Sequence, residues 1–151
     1  MQPRIEVQAL LKIERAQVPA EYFQRLDATL HAARIYGDVV VSYVGPMRHP
    51  DLAAEMADLL LRLRGMSWAI CMGLYRSKLI LAIRTQSQQG GAGWIVQAMV
   101  GDRGTAGGHG TMAGGQIPLQ GQEPEELVQQ LMQRALELLK VPESTGRPLM
   151  S

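Results

Sequence analysis

The stretch Arg103-Gly104-Thr105-Ala106-Gly107-Gly108-His109-Gly110-Thr111-Met112-Ala113-Gly114-Gly115 decides how this chain of 151 residues is read. Ten of the sixteen glycines fall between Gly90 and Gly115, where they leave the backbone with little side-chain cover and free to take positive φ. Such a segment gains little by folding alone. It makes sense as a close approach, either to a ligand whose oxygens accept backbone N–H bonds or to another piece of backbone. His109 stands within it, Arg103 opens it and Asp102, just before it, is the one acid nearby, a setting that favours an anionic ligand.

Working outward, the charge pattern has the same sense. The formal net charge is only +1, but between Leu59 and Gln122 six basic residues (Arg62, Arg64, Arg76, Lys78, Arg84 and Arg103) face the single acid Asp102. A positive island between acidic flanks suits phosphate better than a membrane. With 46% hydrophobic and 19% charged residues the composition is that of an ordinary globular domain. The single cysteine, Cys71, excludes an internal disulfide framework and sits in an apolar run as an inert thiol. No signal-type segment opens the chain and no stretch approaches eighteen uninterrupted apolar residues, so the chain reads as cytoplasmic, with no membrane partner.

Periodicity supplies the elements on either side of the glycines. Residues 4–15 fit a strand or a short helix, with a lean toward helix. Ala20 to Arg34 carries Tyr22, Phe23, Leu26, Leu30 and Ala33 on one stripe and is a helix ended by Gly37. Val39 to Val44 is too apolar for one face in water and reads as an interior strand. Pro50 and Asp51 start a helix that runs to Arg64 on Leu52, Met56, Leu59, Leu60 and Leu63. Met66–Leu74 and Leu79–Arg84 form a hairpin around the polar turn Tyr75-Arg76-Ser77-Lys78. Trp94–Val100 is a short helix, the glycine segment a loop, Gly115–Leu119 a short strand, and Pro124 opens a last helix ending near Lys140. These elements predict an α/β fold: a small mixed β-sheet with helices packed on it, preceded by a helical connector.

With the glycine segment placed after a hairpin that ends in Ala82-Ile83-Arg84-Thr85, the arrangement resembles the C-terminal (DHHA1-type) domain of the DHH phosphoesterase superfamily, the substrate-binding part of RecJ-like exonucleases and short-oligoribonucleotide phosphodiesterases. That family's GGGHxxAAG motif falls on Ala106-Gly107-Gly108-His109-Gly110-Thr111-Met112-Ala113-Gly114, with alanine for the first glycine and methionine for the first alanine of the pair. Its Ser-Leu-Arg-Ser falls on Ala82-Ile83-Arg84-Thr85. The resemblance covers roughly residues 35–120. It implies a binding site for a nucleotide or oligonucleotide phosphate, formed by Arg84, Thr85, Gly107, Gly108, His109 and Gly110. It also implies that residues 1–34 are a helical connector from an N-terminal domain, 35–141 the substrate-binding domain and 142–151 a flexible tail. The Asp-His-His triplet of the family's catalytic domain is absent, so no cofactor is expected in this chain, and Mn2+ or Mg2+ would belong to the missing domain. The implied partners are a short oligonucleotide or other phosphate-bearing substrate, the N-terminal catalytic domain of the same protein, and a second copy in a homodimer.

Each of these residues also has a plainer role. Arg84 would hold a phosphate through two parallel charge-assisted bonds, or be a surface arginine on an edge strand. Thr85 would add a hydroxyl donor or cap the strand. His109 would donate to a phosphate or sugar hydroxyl, or fix the turn. Trp94 would stack a base, or anchor its helix. The chain shows no zinc-type ligand set, no nucleophile paired with a base, no Walker lysine after the glycines and no strand–turn–helix around them. Three readings follow: the substrate-binding portion of a phosphoesterase, a non-catalytic nucleotide or nucleic-acid binding module, and a structural or oligomerisation domain.

Overall fold

The computed structural model describes residues 17–142 and 145–150, and the predicted short helix at 4–15 lies outside them. The β-branched run Val39-Val40-Val41 belongs to the interior strand β2 (Val39–Pro46). The other strands are β1 (Arg34–Tyr36), β3 (Trp68–Tyr75), β4 (Lys78–Thr85), β5 (Thr105–His109), β6 (Met112–Pro118) and β7 (Arg147–Pro148). They form one seven-stranded sheet in the order β5-β6-β4-β3-β2-β1-β7. Only β2 and β3 pair in parallel, because helix α2 (Leu52–Leu60) carries the chain from the end of one back to the start of the other. The remaining neighbours are antiparallel.

Alternation along the strands divides the apolar residues between two cores. Val39, Val41, Ile70, Met72, Leu79, Leu81 and Ile83 face one side, where helices α3 (Ala92–Val100) and α4 (Pro124–Leu138) cover them with Ile95, Val96, Met99, Leu127 and Leu131. Val40, Val44, Ala69, Cys71 and Ala82 face the other, under Met56, Ala57 and Leu60 of α2 and the half-buried Leu26 and Leu30 of helix α1 (Ala20–Ala32). The sheet is therefore buried on both faces through its middle, as the unbroken apolar runs predict. This is the α/β arrangement expected from the sequence.

Several boundaries differ from the reading of the sequence. The helix predicted to reach Arg34 stops at Ala32, and Arg34–Tyr36 turns back as β1, paired with β2 across the two residues Gly37 and Asp38. Phe23, placed on the buried stripe by its spacing, is 60% exposed and meets Tyr22 edge to face at 5.9 Å. Helix α2 ends at Leu60, and single turns of backbone bonding from Leu61 to Leu63 lead to Met66, which re-enters the core. The glycine segment is a hairpin, with β5 and β6 joined through Gly110 and Thr111. Of the residues read as a tail, Arg147 and Pro148 pair with β1, and the Leu149 amide donates to the Ala33 carbonyl at 3.1 Å.

Candidate functional site

The hairpin fixes the geometry of the site through its register. Across β4, β6 and β5 the partners line up in three rows: Arg84, Met112, His109; Ala82, Gly114, Gly107; and Ile80, Gln116, Thr105. Strand alternation turns all nine residues to one face of the sheet. That face is covered by α2 only as far as β4. Beyond it the surface is nearly bare, since Gly107 and Gly114 contribute no side chain, and a groove of about 590 Å³ runs between this floor and the Pro50–Asp51 start of α2. Tyr75, Lys78, Gln116 and Thr105 also line it. A contiguous recess of about 240 Å³ extends past Ala54 to Arg84 and Met112.

Arg84 lies where a strand end should put it, but its guanidinium is not the free fork that the sequence suggested. The side chain is buried, Nε donates to Asp58 Oδ1 at 2.7 Å, and Nη1 donates to the carbonyls of Ile83 at 3.0 Å and Ala113 at 3.3 Å. Nη2 makes no hydrogen bond among the described residues. Thr85 alternates to the opposite face, where its hydroxyl donates to the Ser67 carbonyl at 2.8 Å and accepts from the Ser87 amide at 3.1 Å. It therefore ties β4 to the loops around it and turns no donor toward the groove.

The glycines divide by role. A Cβ on Gly107 would meet nothing within 4 Å, and its φ is not positive, so the fold does not require a glycine there. Gly108 is different: its φ is 152°, a Cβ would strike Ala113, and its carbonyl packs against Gly93 of α3. Gly110, with φ 62°, serves the hairpin turn. His109 is exposed, on the same face as Arg84 but two strands away, about 10 Å at the usual strand spacing. Met112 stands between them, 55% exposed, and His109 lines neither cavity. The structure thus brings Arg84 and Gly107 to the groove, leaves His109 at its rim, and assigns Thr85, Gly108 and Gly110 to the framework.

Other expectations shift with the geometry. Trp94 is 62% exposed on α3, which covers the opposite face, so it does not stack over the groove. The aromatic at the groove is Tyr75, with the Arg76 guanidinium 5.0 Å from its ring centre. The positive island does not gather in space: Arg103 bonds to the Met99 carbonyl and Gln130 near α3 and α4, and of the six basic residues only Lys78 and Arg84 line the groove, opposite Asp51. Asp58, missed in the sequence, makes the shortest hydrogen bond to the Arg84 guanidinium among the described residues. It lies 26 residues away, and the usable signal was the stripe Asp51, Ala54, Asp58 at helical spacing beside the apolar one. Burial pushes the Cys71 thiol far above its ordinary range, with the Arg84 charge opposing, so it stays protonated. Among the described residues no three His, Cys, Asp or Glu side chains gather as metal ligands, and no helix is long and apolar enough to cross a membrane.

No family model matches the chain. An uncharacterized protein, MJ1633, of Methanocaldococcus jannaschii is 28% identical over 120 residues, 79% of this chain and 24% of that protein. The chain therefore spans about a quarter of the length of the curated relative it matches. Among solved structures, an exopolyphosphatase-related protein from Bacteroides fragilis superposes with TM-score 0.62 at 12% identity, over 88% of this chain and 40% of that one. A DHH domain described as a member of the s1p family of ribosomal proteins gives 0.52 at 12%, over 82% and 31%. The C-Ala domain of Aquifex aeolicus alanyl-tRNA synthetase gives 0.50 at 19%, over 72% and 94%. At these identities the likeness establishes the fold alone, one shared with an exopolyphosphatase-related protein, a DHH domain and a synthetase C-Ala domain, and it does not single out the RecJ-type exonucleases.

Proposed function

We propose that this chain is the substrate-binding portion of a divalent-metal-dependent DHH-type phosphoesterase, whose metal-binding domain lies outside residues 1–151, and that the groove holds a nucleotide or oligonucleotide phosphate. The observation that carries the reading is Gly107. The fold tolerates a side chain there, yet the position is bare and forms the floor of a groove with Arg84 at one end and Lys78 at the other. A main chain exposed without structural need is suited to close approach by a ligand. The overlap with an exopolyphosphatase-related protein and a DHH domain supports the same reading.

In this scheme Arg84 supplies charge at the inner end, exposed main chain of β5 and β6 forms the floor, and Tyr75 and Gln116 border space for a sugar or base. His109, at the rim, meets only a ligand long enough to cross Met112. Among the described residues no three metal-ligating side chains gather, and the groove's part in this scheme is to bind and orient the ligand. Titrating a dinucleotide against the wild type and Arg84→Ala tests the reading. Submillimolar binding that is lost in the variant is expected, and equal, millimolar-or-weaker binding by both would refute it.

A second reading, a non-catalytic nucleic-acid binding module, is favoured by the overlap with 94% of the C-Ala domain, which belongs to a synthetase and not to a phosphoesterase. Hydrolysis of short oligonucleotides by the natural full-length polypeptide in Mn2+ would exclude it.

A further inference from the structure

The Arg84 guanidinium is held on two sides by partners of unequal permanence. The Ile83 and Ala113 carbonyls that receive Nη1 belong to β4 and β6 and cannot leave without breaking the sheet. Asp58, which receives Nε, is 62% exposed at its side chain, while that of Arg84 is 10% exposed. An ion pair so open to water is weakly held and readily exchanged. A phosphate gripped by two parallel N–H bonds needs one edge of the guanidinium, Nη1 with Nη2 or Nε with Nη2. The first edge is closed by main chain, and the second is closed only by Asp58. Nη2 is common to both and makes no hydrogen bond among the described residues, and Arg84 borders the recess beside Met112 and Gly114.

Resting on the reading of the groove as an anion seat, we propose that Asp58 is its specificity-determining residue. It is a tethered carboxylate that occupies the Nε edge of Arg84 until a ligand displaces it, and it penalises each added negative charge on that ligand. After displacement the carboxylate remains on α2, along the same wall as Asp51, which lines both cavities. A phosphodiester brings one charge against these two carboxylates. A terminal or inorganic phosphate brings about −1.5 to −2 near neutral pH and is repelled more strongly. The groove therefore selects an internal phosphodiester over a terminal phosphate.

The test is a calorimetric titration of the full chain, at fixed ionic strength, with inorganic phosphate and with a dinucleoside monophosphate that has one diester and no terminal phosphate. Asp58→Ala should tighten inorganic phosphate about tenfold and the dinucleotide only about threefold, from the freed guanidinium edge and the lost repulsion. Asp58→Asn, whose amide oxygen still accepts from Nε without a charge, should fall between wild type and Asp58→Ala. The double variant Arg84→Ala/Asp58→Ala should lose both gains. Unchanged or weaker binding by Asp58→Ala, a gain that persists in the double variant, or equal gains for both ligands overturns the proposal. If the wild type binds the dinucleotide and Asp58→Ala gains nothing, this inference falls while the proposed function stands. If the wild type does not bind the dinucleotide but Asp58→Ala binds phosphate through Arg84, the nucleotide reading falls and the role of Asp58 stands. Absence of binding in every case removes both.

Discussion

Gly93 and Gly108 meet backbone to backbone: a methyl group on Gly93 would collide with the carbonyl oxygen of Gly108. Gly93 lies in the first turn of α3, where alanine would ordinarily stabilise a helix by up to about 1 kcal/mol. Here the collision outweighs that gain, because α3 must withdraw from β5 to admit the methyl. Gly93→Ala is expected to destabilise the protein by about 1–3 kcal/mol, the usual range for overpacking. A urea denaturation midpoint equal to or above that of the wild type would contradict this.

Gly107 and Gly108 are neighbours with opposite tolerances. Gly107→Ala should leave stability within about 0.5 kcal/mol of wild type, as surface substitutions do. The same change should weaken dinucleotide binding severalfold, since the methyl enters the groove. Gly108→Ala should instead destabilise, because φ 152° and the contact with Ala113 both disfavour a side chain. Paired melting curves and titrations separate the two, and equal stability losses would show that Gly107 is structural as well.

The Arg84–Asp58 pair should respond asymmetrically to mutation. Asp58→Ala removes a mostly exposed carboxylate and should cost no more than about 1 kcal/mol. Arg84→Ala strips a buried donor from the Ala113 carbonyl and should cost about 1–3 kcal/mol. Arg84→Lys should not preserve dinucleotide binding, because an ammonium cannot hold two carbonyls and a bidentate ligand in one plane. Denaturant titration of the three variants, alongside dinucleotide binding by Arg84→Lys, checks the ordering.

Alkaline pH should weaken the fold, with Cys71 contributing first. Burial raises its pKa above the ordinary 9.0, and burial likewise raises Tyr22 and Tyr43 above 10.0. Because the folded state holds these protons more tightly, the unfolded chain releases them first as pH rises. Stability from these groups is therefore full below about pH 9 and declines above it. Denaturation midpoints at pH 7, 9 and 10.5 should fall in that order, with a smaller decline in Cys71→Ala. Rapid labelling of native Cys71 by a thiol reagent at pH 8 would contradict the burial on which the argument rests.

The parts legible in the sequence are those written in apolar side chains. The interior strand at Val39–Val44, the hairpin around Arg76 and Ser77, and helix α4 with Pro124 at its start follow from alternation, stripes and breakers. Strand β5 was hidden because Thr105-Ala106-Gly107-Gly108-His109 carries almost no hydropathic signal, although its two-residue turn at Gly110 was a readable cue. Strand β1 was too short to show a period, and Gly37 was read as a helix stop and not, with Asp38, as a hairpin turn. Arg84 was found through its motif, whereas Asp58 comes from a different element and is brought to it only by packing. The charge island misled because nearness along the chain put Arg103 and Arg84 in one group, while the fold sends them to opposite faces of the sheet.

The two-residue strand β7 has a protective task at the margin of the sheet. Pro148 has no amide hydrogen to offer a newcomer, and it lies along β1 at the margin of the sheet, with Gly146 close against the Tyr36 ring. Cutting the chain after Val141 would strip that cover and present Ile35 and Tyr36 as an unguarded rim. The shortened molecule should then self-associate by adding strands from other copies, visible as concentration-dependent growth in light scattering, with the groove at the far end untouched.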